Sequence, residues 1–137
     1  MVIQVNEGTK QRLKKLNTAL IKNLETNLGV KVFQDSVSED EFKNELKGVY
    51  HYIIFETGGM RRAEEKQFTL LQDVLVRYYA ENVDDVDGAQ IDIISTLESN
   101  GYTFVNSEKT AIQKGQEDAY VDEIEFNFTR SLKYVRC

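Results

Sequence analysis

The sequence predicts a single α+β domain over residues 1–137, its helices packed on a mostly antiparallel sheet that closes with a C-terminal β-hairpin. Three observations carry this expectation. Leucines recur at helical spacing near the N-terminus, a β-rich run occupies 49–55, and apolar and polar residues alternate through 120–134. In that closing run Ile124, Phe126, Phe128, Leu132 and Tyr134 share one parity, while Glu123, Glu125, Asn127, Thr129, Ser131 and Lys133 share the other. Period two is the spacing of side chains on one face of a strand, so the run reads as a strand with one buried face. At about 3.4 Å per residue it would extend roughly 45–50 Å, against about 17–20 Å for an ordinary strand. Arg130 interrupts the apolar parity, either where burial ends or where a partner carboxylate waits. The expectation is that residues up to Phe128 build the core and that the remainder reaches a neighbouring molecule.

The other elements follow in order. Leu13, Leu16, Leu20, Leu24 and Leu28 step by three and four, with Ile21 alongside, which predicts a helix over 9–28. Thr9 is its expected N-cap and Gly29 its left-handed terminator. A short strand over 30–33 comes next. Ser38 followed by Glu41 forms a capping box, so a short helix is expected over 39–47, ended by Gly48. The run 49–55 is apolar on both parities, the mark of a central strand covered on both faces. Gly58 and Gly59 are expected to break the chain. Phe68, Leu71, Leu75 and Tyr78/Tyr79 then predict a helix over 64–80. Residues 82–88 read as an acidic loop. A helix over 90–99 with Ile91, Ile94 and Leu97 on one side ends at Asn100-Gly101. A strand over 102–113, a turn at 114–118 and the long closing strand complete the order α-β-α-β-α-α-β-β.

Bulk properties bound the function. Hydrophobic content of 41% and charged content of 29% are those of an ordinary globular chain. No apolar run approaches the ~18–20 residues that span a bilayer, so no membrane partner is expected. Residues 1–7 lack a basic segment followed by an apolar one, so no secretory signal is expected. The single cysteine, Cys137, cannot form an intrachain disulfide.

No catalytic constellation is readable, and the expectation is a protein that is not an enzyme and takes no cofactor or metal. His51 is the only histidine and lies within a strand between tyrosines. Asp84-Asp85-Val-Asp87-Gly88 resembles a calcium loop, but with Gly88 at the sixth position Val83 and Ile94 fall where the first and twelfth ligands belong. Gly58-Gly59-Met60-Arg61-Arg62 matches neither a Walker motif nor a dinucleotide fingerprint. That loop reads as a protein contact, as a phosphate contact, or as a loop whose arginines pair with acids such as Glu64.

A net charge of −6 argues against a general nucleic-acid binder. The charge is uneven: bases cluster between Lys10 and Lys22, and acids cluster over 81–92 and 117–125. Solvated faces would explain the pattern, and so would complementarity between copies. In the second case the contact residues are Lys14, Lys15, Arg61 and Arg62 against Asp84 and Asp85, with Arg130, Lys133, Tyr134 and Arg136 at the projecting end.

The segments Asp92-Ile-Ile-Ser-Thr-Leu-Glu-Ser-Asn-Gly-Tyr-Thr-Phe104 and Asp122-Glu-Ile-Glu-Phe-Asn-Phe-Thr-Arg130, after a basic amphipathic helix, give most of the chain a recognisable pattern. It resembles the tail-terminator (tail-completion, head–tail joining) proteins of long-tailed bacteriophages. The resemblance implies a homo-oligomer, typically a hexameric ring, that caps the tail tube and offers a docking surface to the head connector. Its partners would be the tail tube protein and a neck protein, with DNA only passing through the channel. Its location would be the virion, after assembly in the host cytoplasm. A neck protein on the portal side, or a small monomeric module that captures a peptide along a strand edge, are the alternatives.

Overall fold

Helix α1, Glu7–Leu28, forms where the leucine stripe predicts it and buries Leu20 and Leu24. It stops at Gly29, whose φ of 68° lies in the left-handed region and whose N–H donates to the Glu25 carbonyl. Its N-cap is Asn6, not Thr9: Thr9 lies one turn inside and its hydroxyl donates to the Lys133 carbonyl, 2.9 Å away. The Thr9 hydroxyl therefore serves a contact with a residue 124 positions away and not the cap. The computed structural model describes residues 5–64, 66–113 and 120–134.

Strand β1, Lys31–Gln34, is followed by helix α2, Glu39–Asn44. The capping box is complete, with Ser38 Oγ accepting from the Glu41 N–H and the Glu41 carboxylate accepting from the Ser38 N–H. Strand β2, His51–Arg62, is longer than the sequence predicts. Gly58 and Gly59 do not break it; they sit in a register irregularity between Thr57 and Met60. A Cβ on Gly58 would come within 3.3 Å of the Asp73 side chain and carbonyl, a close approach that a side chain would fit only if the next strand gave by a few tenths of an ångström.

The main correction concerns 64–80. Among the described residues no helix forms there; Thr69–Ala80 is strand β3, hydrogen-bonded to β2 on one side. Gln72, Val74, Val76, Tyr78 and Ala80 are buried on one face, while Leu71, Leu75 and Tyr79 lie on the other. A strand with apolar residues on both faces offers steps of three and four as readily as steps of two, and so imitates a helical stripe.

Helix α3, Val86–Ser99, starts four residues earlier than predicted, because Asp85 caps it through a 2.8 Å bond from the Gly88 N–H. Its buried face is Val86, Ile93, Thr96 and Leu97; Ile91, expected inside, is 63% exposed. Strands β4, Thr103–Gln113, and β5, Tyr120–Lys133, form the expected antiparallel hairpin. Its predicted turn at 114–118 lies outside the described residues.

The order along the chain is α-β-α-β-β-α-β-β, and the strands lie β1-β2-β3-β5-β4. Only the β1–β2 pairing is parallel. One face carries Ile53, Phe55, Val76, Tyr78, Ile124, Phe126 and Phe128 beneath α1 and α3. The opposite face packs Tyr52 and Ile54 against Leu46 and Phe42 at α2. Beyond α2 that second face also carries charged groups, with Arg77 bridging Glu56 at 2.7 Å and Glu125 at 3.3 Å.

β5 does not leave the sheet after Phe128. It pairs with β3 as far as Lys133 opposite Thr69, and Thr129, Arg130 and Leu132 are buried. The predicted core boundary is therefore wrong. β3 pairs with β5 from Asp122 to Lys133, so the stretch after Phe128 is not surplus.

Candidate functional site

Strand directions decide where the charges go. The C-terminal ends of β2 and β5 and the N-terminal end of β3 coincide, since Arg62 pairs with Leu70 and Lys133 with Thr69. The N-terminus of α1 joins them through Thr9. Arg61, Arg62, Lys66, Lys133 and Tyr134, separated by up to 73 positions in sequence, are thereby gathered at one end of the sheet. At the opposite end β3 runs into the loop bearing Asp84 and Asp85, and the first turn of α3 carries Asp87.

The basic end is a built cleft. A cavity of about 560 Å³ lies between Lys66, Phe68, Thr69, Ser131, Lys133 and Tyr134. A smaller one of about 290 Å³ shares Phe68 and Tyr134 and adds Arg62. Arg62 Nη2 donates to the Tyr134 hydroxyl at 2.9 Å, and the Phe68 ring meets Tyr134 edge-on at 5.7 Å. The Tyr134 N–H donates to the Phe68 carbonyl at 3.0 Å. Phe68 holds φ at 58°, a left-handed conformation that costs a bulky residue on the order of 1–3 kcal/mol. Arg61 pairs with Asp73 at 2.6 Å, not with Glu64 as the sequence suggests. Glu64 is exposed beside this cluster. Lys66 and Lys133 are exposed, and among the described residues neither is in an ion pair.

At the acidic end Asp84 and Asp87 are exposed, while the Asp85 carboxylate is engaged in the α3 cap. His51 lies nearby, its Nε2 3.1 Å from the Tyr78 hydroxyl, on the wall of a cavity of about 550 Å³ that Asp85 and Asp92 also line. Burial lowers the pKa of His51 below its ordinary 6.5. The unfolded chain then takes up the proton more readily than the folded one, so this contribution to stability is complete above pH 6.5 and is lost as pH falls through and below it. Between about pH 7.5 and about pH 5.5, the wild type is expected to lose more unfolding free energy than His51→Gln in urea titrations. Parallel curves for the two proteins would count against it.

On the second sheet face the Tyr52 and Tyr79 rings stack at 4.9 Å. Burial, then the neighbouring Tyr50 and Glu123, push Tyr52 up to about 12. Burial and the hydrogen bond with Glu123 raise Tyr79 as well. Neither phenol ionises near neutral pH. Burial works against the charge on Arg77, but Glu56 and Glu125 outweigh it and its pKa stands above the ordinary value. Among the described residues no three His, Cys, Asp or Glu side chains are placed to hold a metal ion, and no helix is long and apolar enough to cross a membrane.

Of the residues the sequence singles out, Arg61, Arg62, Lys133 and Tyr134 converge, and Asp84 and Asp85 lie at the other end. Lys14 and Lys15 are exposed on the N-terminal half of α1. Arg130 is a correction: expected at an outer contact, it is 4% exposed. Its guanidinium donates to Gln72, Asn17 and Tyr102, because its parity points it under α1. Arg136 lies outside the described residues. Lys66 and Phe68 do not stand out in a sequence whose 64–80 predicts a helix; the alternation Val74, Val76, Tyr78, Ala80 is the signal that points to a strand and so to the hairpin they occupy.

The sequence matches no protein-family model and no curated protein.

Proposed function

We propose that this chain is a structural ring subunit of a long-tailed bacteriophage, a tail terminator that caps the tail tube, ends its polymerisation and receives the head connector. The observation that supports the reading best is the segregation of opposite charge to the two ends of one sheet. Unlike ends attract and like ends repel, so copies meet with unlike ends together, and a head-to-tail arrangement satisfies this. A head-to-tail contact repeats, and it closes into a ring when the rotation per copy permits. Such a subunit stays apart while dilute and assembles where the tube end concentrates it. The reading predicts rings, hexameric in the simplest case, in native mass spectra and negative-stain images of the purified protein, alone or on addition of tail-tube protein. A clean monomer at high concentration, unchanged by tube protein, would sink it.

A second reading has one observation in its favour. β4 is an edge strand, and its Val105 and Ile112 are 56% and 40% exposed. An extended peptide could add to that edge as a further strand. In that case the protein remains monomeric and binds a peptide, and the same images separate the two readings.

A further inference from the structure

We infer that the joint between copies is the insertion of one copy's acidic turn, Asp84 to Asp87, into the basic cleft of the next copy, formed by Lys66, Phe68, Lys133 and Tyr134. The inference rests on the ring reading and names the surfaces that make it.

Distance is the first argument. β3 joins the two ends, and its 12 residues at about 3.3 Å each hold them roughly 36–40 Å apart. The Debye length at physiological ionic strength is about 8 Å. Within one molecule the two ends are therefore electrostatically independent. Their charges can compensate each other only between molecules.

Shape is the second argument. The cleft of about 560 Å³ lies within the range of about 300–1,000 Å³ that ordinary ligand sites occupy. It has an aromatic floor in Phe68 and Tyr134 and two exposed ammonium groups, Lys66 and Lys133, at its rim. Arg62 is held against Tyr134, so the wall is set before a partner arrives. The proposed occupant is of matching kind. Asp85 is fixed as the α3 cap, which holds the turn in one conformation, and Asp84 and Asp87 stand exposed on either side of it. Two flexible lysines meeting two carboxylates on a capped turn give charge-assisted contacts at a small ordering cost.

The direction of the joint follows. A basic end does not accept a second basic end, so unlike ends meet; in the ring each turn enters the next copy's cleft, a heterologous contact, whereas an antiparallel two-fold pair would insert both turns reciprocally and appear as a dimer.

The test uses two charge-reversed full-length chains. One carries Asp84→Lys and Asp87→Lys, leaving the Asp85 cap in place. The other carries Lys66→Glu and Lys133→Glu. Each should be monomeric alone, because its two ends then carry like charge. An equimolar mixture should restore rings in which the two chains alternate, read by native mass spectrometry as equal numbers of each mass. Circular dichroism checks that both variants fold; if the double aspartate variant does not, Asp84→Lys alone, which precedes the helix, replaces it. If wild type assembles and either variant also assembles alone, or if mixing fails to restore the ring, the joint is overturned while the ring reading stands. If wild type itself is monomeric at high concentration and with tube protein, the ring reading falls and the joint with it.

Discussion

Arg130→Ala is expected to cost on the order of 3–5 kcal/mol of unfolding free energy, a large share of the roughly 5–15 kcal/mol of a typical domain. The side chain is buried on the core face of β5, in line with Phe126 and Phe128. Nε donates to Gln72 Oε1 at 2.9 Å; Nη1 donates to Asn17 Oδ1 at 2.8 Å and to the Tyr102 hydroxyl at 3.1 Å. The guanidinium also stands 6.0 Å from the centre of the Tyr102 ring. These contacts tie β5 to β3, to α1 and to the start of β4. Truncation leaves Gln72 and Tyr102 buried without this partner, at about 1–3 kcal/mol for each unsatisfied group, and opens a cavity. Arg130→Met keeps much of the volume and separates the packing loss from the hydrogen-bond loss, so it should cost less than alanine. Urea denaturation midpoints at constant slope measure both. A loss under about 1 kcal/mol for alanine would mean the guanidinium is solvated, contrary to the geometry described.

Phe126→Ala is expected to cost about 3–5 kcal/mol. Phe126 is fully buried on the central part of β5, opposite Val76 of β3 and Ser107 of β4. Its ring stacks on Phe128 at 6.2 Å, and Phe128 in turn meets Phe104 at 5.5 Å. With α1 and α3 packed above, the site cannot collapse without moving a helix, so most of the cavity would persist. Phe104→Ala, at the partly buried edge of the same cluster, should cost less. Equal losses at the two positions, measured in the same urea titrations, would contradict the layering.

What the sequence alone determined were the elements whose signals are local. The α1 stripe ends at Gly29 because only a residue free at positive φ turns the chain there. The Ser38–Glu41 box closes over four residues. The alternation of 120–134 appears as the strand β5 because one of its faces is polar over most of its length. The α+β class and the C-terminal hairpin follow from these. The clustering of charge along the chain was legible too, but not the place of each cluster in space.

Tertiary structure decided the rest. It made 69–80 a strand, because a segment flanked by β2 and β5 and apolar on both faces carries no periodicity that excludes a helix. It moved Thr9 from a cap to a bond with Lys133, and set the inner face of α3 on Ile93 in place of Ile91. It turned Arg130 from a surface cation into a buried clasp, since Gln72, Asn17 and Tyr102 meet it only once β3, α1 and β4 are assembled. The basic cleft has the same origin. Tyr134 is distant in sequence from Arg62 and Phe68 and joins them in one wall through strand register, a quantity fixed by pairing across the sheet and by no local signal in the chain.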